Sequence, residues 1–407
     1  MINVYSINLL FFIYILFLNF YIYFDYKMIW LIILGIYTII IFIYSYWIYK
    51  NNYVFYKPLE YVNQDTLETI NVHKLYPEFA CLDKLSFFRI FLTNFFLYAL
   101  IKFIINIVLA IILIIRLKQF SKSLKNPTTD REEWKTLSET ISFWTKKLLK
   151  INGIEIIKKK LPYEEVYKKY LGDDYFNELN ENYSLIISNH LGFYDIVLNM
   201  TINSAGFLAK YDTQNYLLVG TIAKAINCLF VKRESQEDRA RIFTELEQRQ
   251  KDFYEGKILT PLCIFPEGTT TNGKYILKFK KGAFYALLPI KPQIILLDDN
   301  LNYSVAIGVG STGFNYFRSL CYSGCKMYLY ELPVIRPTEF MWQNYSNLAN
   351  EKWEIFAEVT RKIMCEISGL TPSNKNYRDS KNYENSLNKG IFDDELAEHL
   401  IPKSLPA

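Results

Sequence analysis

Ser184-Leu-Ile-Ile-Ser-Asn-His-Leu-Gly-Phe-Tyr-Asp195 is the stretch from which the rest of the chain is read. On one continuous helix, His190 and Asp195 would stand five positions apart and point to different faces. A different local structure brings them together. If Ser184 to Ser188 forms a strand that ends near His190, and Asp195 lies at the start of the following helix, the carboxylate can reach back to one imidazole nitrogen. That contact fixes the tautomer and leaves the other nitrogen as a general base. A strand running into a helix in this way is the unit of an α/β fold.

Outward from this stretch, residues 150 to 370 keep the same alternation. Short apolar runs at Ser184–Ser188, Leu229–Val231, Leu262–Phe265, Ile294–Leu297, Ser304–Val309 and Lys326–Leu329 read as strands separated by helical patterns. They predict a mixed, mostly parallel sheet flanked by helices. Gln236 to Tyr254 shows one apolar face, formed by Ala240, Phe243, Leu246 and Phe253, with Gly256 placed to end it. A last helix is expected over Asn350 to Ile367, ended by Gly369.

Three further motifs lie in the α/β region. Ile264-Phe-Pro-Glu-Gly-Thr-Thr-Thr-Asn-Gly273 is an apolar strand ending in a turn whose glycines, amides and hydroxyls suit phosphate oxygens. Phe230-Val-Lys-Arg233 leaves Arg233 at a strand end, in the crevice where open α/β sheets bind ligands, and Arg forks onto phosphate. Lys278-Phe-Lys-Lys-Gly-Ala-Phe284 sets Lys280 in a basic turn suited to CoA phosphates or lipid head groups, or simply to water. Each motif taken singly also has an ordinary structural reading as a surface turn or salt bridge.

Upstream the chain reads as membrane. Leu9–Phe24 and Met28–Tyr49 are apolar runs with Asp25, Tyr26 and Lys27 between them, so residues 1–50 are expected to form a transmembrane hairpin. No basic residue precedes the first run, which argues against a cleaved leader. Ile90–Ile115 is a third apolar stretch that carries Lys102 near its middle, with Asn94 and Asn106. It fits either one crossing, with Lys102 snorkelling or facing protein, or two shorter helices. Within 51–150, Trp134, Leu137, Ile141 and Trp144 fall at helical spacing, which fits an amphipathic helix on the membrane or on the catalytic domain. Residues 151–370 are expected to form the catalytic domain. Residues 371–407 are expected to be a polar flexible tail with a short helix near Asp393–Leu400.

Composition narrows the functional class. A net charge of +5 over 407 residues does not suggest nucleic-acid binding. The six cysteines, at 81, 228, 263, 321, 325 and 365, show no zinc spacing, and His73, His190 and His399 cannot form a His-rich metal centre. The expected metal and cofactor content is none. There is no G-x-S-x-G elbow, which counts against a serine lipid hydrolase.

The order of these motifs resembles the glycerolipid (plsC-like) acyltransferase superfamily over about residues 180–370. The runs Phe265–Phe284 and Val231–Arg239 are most similar to lysophosphatidylcholine and lysophosphatidylethanolamine acyltransferases. The resemblance implies His190 and Asp195 as the catalytic pair. It also implies Arg233, Glu267, Gly268 and Thr269 as acceptor-phosphate residues, and Pro292 in the acyl-donor block. The implied reaction transfers a fatty acyl chain from acyl-CoA, as co-substrate, to the free hydroxyl of a lysophospholipid at a lipid bilayer. The expected setting is the endoplasmic reticulum, with the domain facing the cytosol. The oxyanion needs donors, for which backbone amides near His190 or Gly268 are candidates. Alternatives are acylation of glycerol-3-phosphate or 1-acylglycerol-3-phosphate, and a non-catalytic membrane scaffold with the same fold. Oligomeric state is not read from the sequence.

Overall fold

The computed structural model describes residues 31–50, 60–62, 69–71, 76–80, 87–118, 130–178, 181–232, 236–298, 304–306, 312–322 and 324–389. By internal packing the chain divides into two units, Met1–Tyr53 with Leu85–Tyr98, and Val54–Lys84 with Ala99–Ala407. The first apolar run, Leu9–Phe24, lies outside the described residues, as do Arg233 and the short helix expected near Asp393–Leu400.

In the first unit, helix α1 (Leu31–Lys50) packs on helix α2 (Phe87–Phe95). Phe42 meets the rings of Phe87 and Phe91 edge-on at 5.3 and 6.1 Å. Asn94 donates to Ser45 Oγ at 3.2 Å, so the polar groups of this apolar pair satisfy each other. The apolar stretch from Ile90 to Ile115 is not one helix: Leu97, at φ 56°, breaks it.

Helix α3 (Tyr98–Leu117) follows, and Ala99 begins the second unit. Like α1, it is 20 residues long and apolar enough to cross a membrane. Ala99, Lys102, Asn106, Leu109, Leu113 and Leu117 form its buried stripe at helical spacing. Lys102 faces protein and donates to the Tyr322 carbonyl at 2.6 Å. Asn106 donates to Asn152 Oδ1 and Tyr316 Oη at 3.0 and 2.8 Å. Lys102 and Asn106, two of the polar residues that made this stretch ambiguous in sequence, therefore bond to the α/β unit, while Ile101, Ile104, Val108, Ile111 and Ile115 face outward.

A small antiparallel pair, β1 (Glu60–Val62) and β2 (Thr69–Asn71), precedes the main sheet. Helix α4 (Arg131–Ile151) starts at Asp130, whose carboxylate accepts from the amides of Glu132 and Glu133. It buries Leu137, Ile141 and Leu149, so it packs on the α/β unit. The sheet strands are β3 (Ile154–Lys159), β4 (Leu185–Ser188), β5 (Gly206–Lys210), β6 (Leu229–Val231), β7 (Leu262–Ile264), β9 (Ile290–Leu297) and β10 (Cys325–Glu331); a short β8 (Tyr275–Ile276) pairs separately. The helices among them are α5 (Glu164–Leu171), α6 (Phe193–Asn203), α7 (Val219–Ala225), α8 (Gln236–Tyr254) and α9 (Thr312–Leu320). After the sheet come α10 (Glu339–Asn344), α11 (Lys352–Ser368), β11 (Thr371–Pro372) and α12 (Tyr377–Lys389).

The seven strands run in the order β3-β10-β9-β4-β7-β5-β6. Only β9 and β10 pair antiparallel, so the sheet is mixed and mostly parallel, as the alternating pattern predicts. All residues of the central strand β4 are buried, because helices cover both faces. Leu185 and Ile187 enter one core with Leu262, Ile264, Phe284 and Phe356. Ile186 points the other way, into a core with Leu113, Leu137, Ile141, Phe207 and Cys263. Each such buried Leu or Ile contributes about 1.5–3 kcal/mol.

Two expectations need correction. The strand read at Ser304–Val309 is not formed where it is described, at 304–306. Within the tail, Thr371–Pro372 and Tyr377–Lys389 form elements that pack on the fold. β11 pairs with β8, and α12 buries Tyr383, whose ring lies 5.3 Å from that of Tyr76. A few apolar residues on a polar helix are enough to dock it when the surface beneath is already built.

Candidate active site

β4 ends at Ser188, in register with Gln293 of β9, and there its backbone leaves the sheet. Asn189 continues the ladder with its side chain: Nδ2 donates to the Ile295 carbonyl at 2.9 Å, and Oδ1 accepts from the Ile295 amide at 2.8 Å. The carboxamide stands in for a peptide group and frees the main chain to turn. His190 follows, held through its own backbone at both ends. Its amide donates to Glu267 Oε1 at 2.9 Å, and its carbonyl accepts from the Thr271 amide at 3.0 Å.

The ring of His190 stacks on Phe265, with centroids 4.1 Å apart and planes 11° from parallel. Phe207 stacks behind Phe265 at 5.9 Å. Asp195 lies in the first turn of α6 and is fully buried. Its Oδ2 is 2.8 Å from His190 Nδ1 and accepts from the amides of Leu191 and Gly192 at 2.6 and 2.9 Å. One carboxylate thus caps the helix, where negative charge is favoured, and orients the imidazole. Nδ1 is taken by Asp195, and the His190 side chain is 19% exposed, so Nε2 is the nitrogen left for chemistry. Burial alone pushes the His190 pKa down. The charge and hydrogen bond of Asp195, with the nearby Glu267, outweigh it and hold the imidazole above its ordinary value.

Glu267, read from the resemblance as an acceptor-phosphate residue, is held by backbone on both carboxylate oxygens. It is fully buried, and its second oxygen accepts from the Leu277 amide at 2.8 Å. Both oxygens are therefore engaged by backbone, tying the His190 turn to the chain leading from β8. Burial pushes its carboxyl up to about 7, against the pull of those two amides. Gly268 sits at φ 70°, and a Cβ there would meet Lys280 Nζ at 2.3 Å, so glycine lets the lysine lie across the loop. The Lys280 amide donates to the Pro266 carbonyl, and its ammonium is 5.3 Å from the centre of the Tyr377 ring. Thr269 Oγ1 is 3.3 Å from Ser380 Oγ on α12.

The structure therefore gathers His190 with Asp195 and Glu267, and Gly268 with Lys280. Pro292 is buried within β9, in register with Ile187. Among the amides near His190 and Gly268, four are already engaged: His190 with Glu267, Leu191 and Gly192 with Asp195, and Gly268 with the Phe265 carbonyl. Sequence reasoning missed Asn189, Phe207 and the platform role of Phe265. It also missed the segment Tyr76–Ala80, whose Pro77 and Ala80 carbonyls accept from Asn272 Nδ2 at 2.7 and 3.0 Å. The first three carry a local signal, an amide or aromatic residue at a strand end; the last carries none.

Residues 167–296 match the family model described as Acyltransferase. That segment contains His190, Asp195, Arg233, Glu267, Gly268, Thr269, Lys280 and Pro292, so the resemblance read from the motifs holds for it. The chain is similar to lysophospholipid acyltransferase LPEAT1 of Arabidopsis thaliana, with 31% identity over 51% of this chain and 50% of that one. It is also similar to lysophosphatidylcholine acyltransferase 1 of Danio rerio, with 27% identity over 46% and 34%. The chain thus spans half or less of these relatives. A solved structure, the 1-acyl-sn-glycerophosphate acyltransferase PlsC of Thermotoga maritima, aligns with TM-score 0.38 and 16% identity over 65% of this chain and 96% of that one.

Proposed function

We propose, for a chain whose residues 167–296 match the Acyltransferase family, that it transfers a fatty acyl chain from acyl-CoA to the free hydroxyl of a lysophospholipid in a bilayer. The observation that carries this reading is the His190–Asp195 contact at 2.8 Å, with Nε2 left over beside an aromatic platform. The names of the relatives support the acceptor class. His190 Nε2 takes the proton of the acceptor hydroxyl as its oxygen attacks the thioester carbonyl. The tetrahedral oxyanion then collapses, the C–S bond breaks, and the departing CoA thiolate takes the proton from His190, which returns to its neutral form. Asp195 stabilises the imidazolium formed on the way. The steps so written pass through no acyl-enzyme and use no metal or cofactor. Two apolar helices suit a membrane protein, and acyl-CoA as donor calls for a cytosolic face, as on the endoplasmic reticulum.

The test uses the full chain in nanodiscs with labelled oleoyl-CoA. Lysophosphatidylcholine, lysophosphatidylethanolamine, lysophosphatidic acid and glycerol-3-phosphate are offered separately, and free CoA is measured beside lipid product. CoA release matched by diacyl phospholipid, from a choline or ethanolamine acceptor, is expected. Product from lysophosphatidic acid or glycerol-3-phosphate alone would move the assignment to that acceptor. Free fatty acid without lipid product would make it a hydrolase, and no turnover from folded protein would leave the scaffold reading.

A further inference from the structure

β4, β7, β5 and β6 are parallel neighbours, so their ends share one edge of the sheet. His190 follows β4 and Phe265 follows β7. At the same edge β5 runs into a 3-10 turn, Tyr211–Asn215, and then into α7. The tip of this connection is apolar and turned to solvent: Tyr216 is 60% exposed, Leu217 85% and Val219 52%. Single exposed apolar residues are ordinary, but three within four positions at a loop apex mark a contact surface.

The loop is not loose. The Gly220 amide donates to the Tyr216 carbonyl at 2.7 Å, and the Tyr216 amide to that of Thr213 at 3.2 Å. A Cβ at Gly220 would stand 2.5 Å from the Gln214 carbonyl oxygen, so the chain closes on itself here only because the residue is glycine. A rigid turn therefore holds Leu217 outward. Along 210–224 the charged residues are Lys210, Lys224 and one carboxylate, Asp212, and the Lys232 ammonium lies 4.3 Å from the centre of the Tyr211 ring. α7, which carries the loop, buries Ala225 in the same core as Leu113 and Leu117, at the end of the apolar helix α3.

We propose that the 211–221 loop is a membrane-contact element that sets Tyr216, Leu217 and Val219 into an anionic lipid leaflet beside the active site. Aromatic and aliphatic residues at the tip with lysines behind them are the chemistry of an interfacial contact. The lipid acceptor would then reach the His190 edge of the sheet without leaving the leaflet, a consequence that rests on the acyl-transfer reading.

The first measurement does not depend on catalysis. Leu217→Cys is labelled with nitrobenzoxadiazole in the full chain; Cys263, Cys321, Cys325 and Cys365 are buried, and the parent chain treated alike gives the background. In vesicles of phosphatidylcholine with phosphatidylserine, blue-shifted emission quenched by doxyl groups high on the acyl chains is expected. The emission of a water-exposed dye, unquenched in folded protein, would overturn the proposal whatever the enzyme's activity. The second measurement compares Tyr216→Ser/Leu217→Asp with the parent chain. For a vesicle-borne acceptor, a KM raised about tenfold with kcat held is expected, with a short-chain soluble acceptor unaffected. Equal kinetics on vesicles would also overturn it.

Discussion

Two loops leave neighbouring parallel strands at one sheet edge, and they are held in different ways. The turn after β4, Asn189–Asp195, carries its own clasp besides its ties to Ile295, Glu267 and Thr271: one carboxylate, Asp195, binds His190, Leu191 and Gly192. The turn after β7, Pro266–Gly273, is organised from outside. The Pro77–Ala80 segment accepts from Asn272, Ser373 donates to Glu78 at 2.6 Å, and Ser380 meets Thr269 from α12. The local loop presents a reactive nitrogen, whereas the long-range loop buries its charged residue, Glu267, and uses it to brace the other. On the proposed mechanism, chemistry and bracing are thus divided between two motifs that look equally functional in sequence.

The largest expected effect follows from that division. His190→Ala should lower acyl transfer by about 10²–10⁴-fold with the thermal midpoint little changed, because it removes the base and leaves the brace. Product formation and thermal unfolding measured on one preparation check it. If Glu267→Ala matched that loss without losing stability, the two loops would not divide the work as described.

Asp195→Asn should come next, at about a hundredfold in kcat/KM. Its second signature is a shift in pH dependence. On the proposed mechanism the acidic limb in the parent chain should belong to His190, held above its ordinary value, with activity lost as pH falls through it because the base becomes protonated. Without the Asp195 charge, burial pulls the imidazole back down, so the limb should move to lower pH. A limb that stays in place would assign it to another group.

Glu267→Gln should act on stability first. A carboxamide has one acceptor oxygen for the two amides of His190 and Leu277, and it sets a donor against the second. The cost is about 1–3 kcal/mol in denaturant unfolding. The pH dependence gives an independent check. With a folded carboxyl at about 7 and an ordinary value of 4.5, the native state holds a proton that the unfolded chain releases in that window. The stability this group contributes is complete below the ordinary value and is lost as pH rises towards 7. In Glu267→Gln that slope should be absent.

The same contrast explains what could be read in advance. The β4–α6 turn was legible because spacing alone dictates it: five positions suit a strand end and a helix start, and the carboxylate does reach back. The interior strands β4, β7, β9 and β10 announced themselves as apolar runs, whereas the interior strand β5, Gly206-Phe-Leu-Ala-Lys210, did not. β3, Ile154-Glu-Ile-Ile-Lys-Lys159, did not, since it is an edge strand with several charged positions. Ser304–Val305–Ala306 has strand composition but joins no sheet ladder among the described residues. Glu267 in a Pro-Glu-Gly turn looks solvent-facing until Leu277 and His190 are brought to it, and no local pattern predicts that. The docking of α12 and of Tyr76–Ala80 is long-range in the same sense, and so a segment with tail-like composition became part of the wall behind the second loop.

The smallest effect tests whether that wall is only a brace. Thr269 Oγ1 and Ser380 Oγ are 3.3 Å apart, a long contact between hydroxyls that water can replace. Ser380→Ala should therefore cost about 0.5 kcal/mol or less and leave the acceptor KM within about twofold. The heavier ties, Asn272 to Pro77 and Ala80 and Ser373 to Glu78, stay in place. A KM raised manyfold at unchanged stability would carry a different meaning. It would make the Thr269 hydroxyl a substrate contact whose direction Ser380 sets, and it would bring the C-terminal helix into the acceptor site. The second loop would then bind as well as brace.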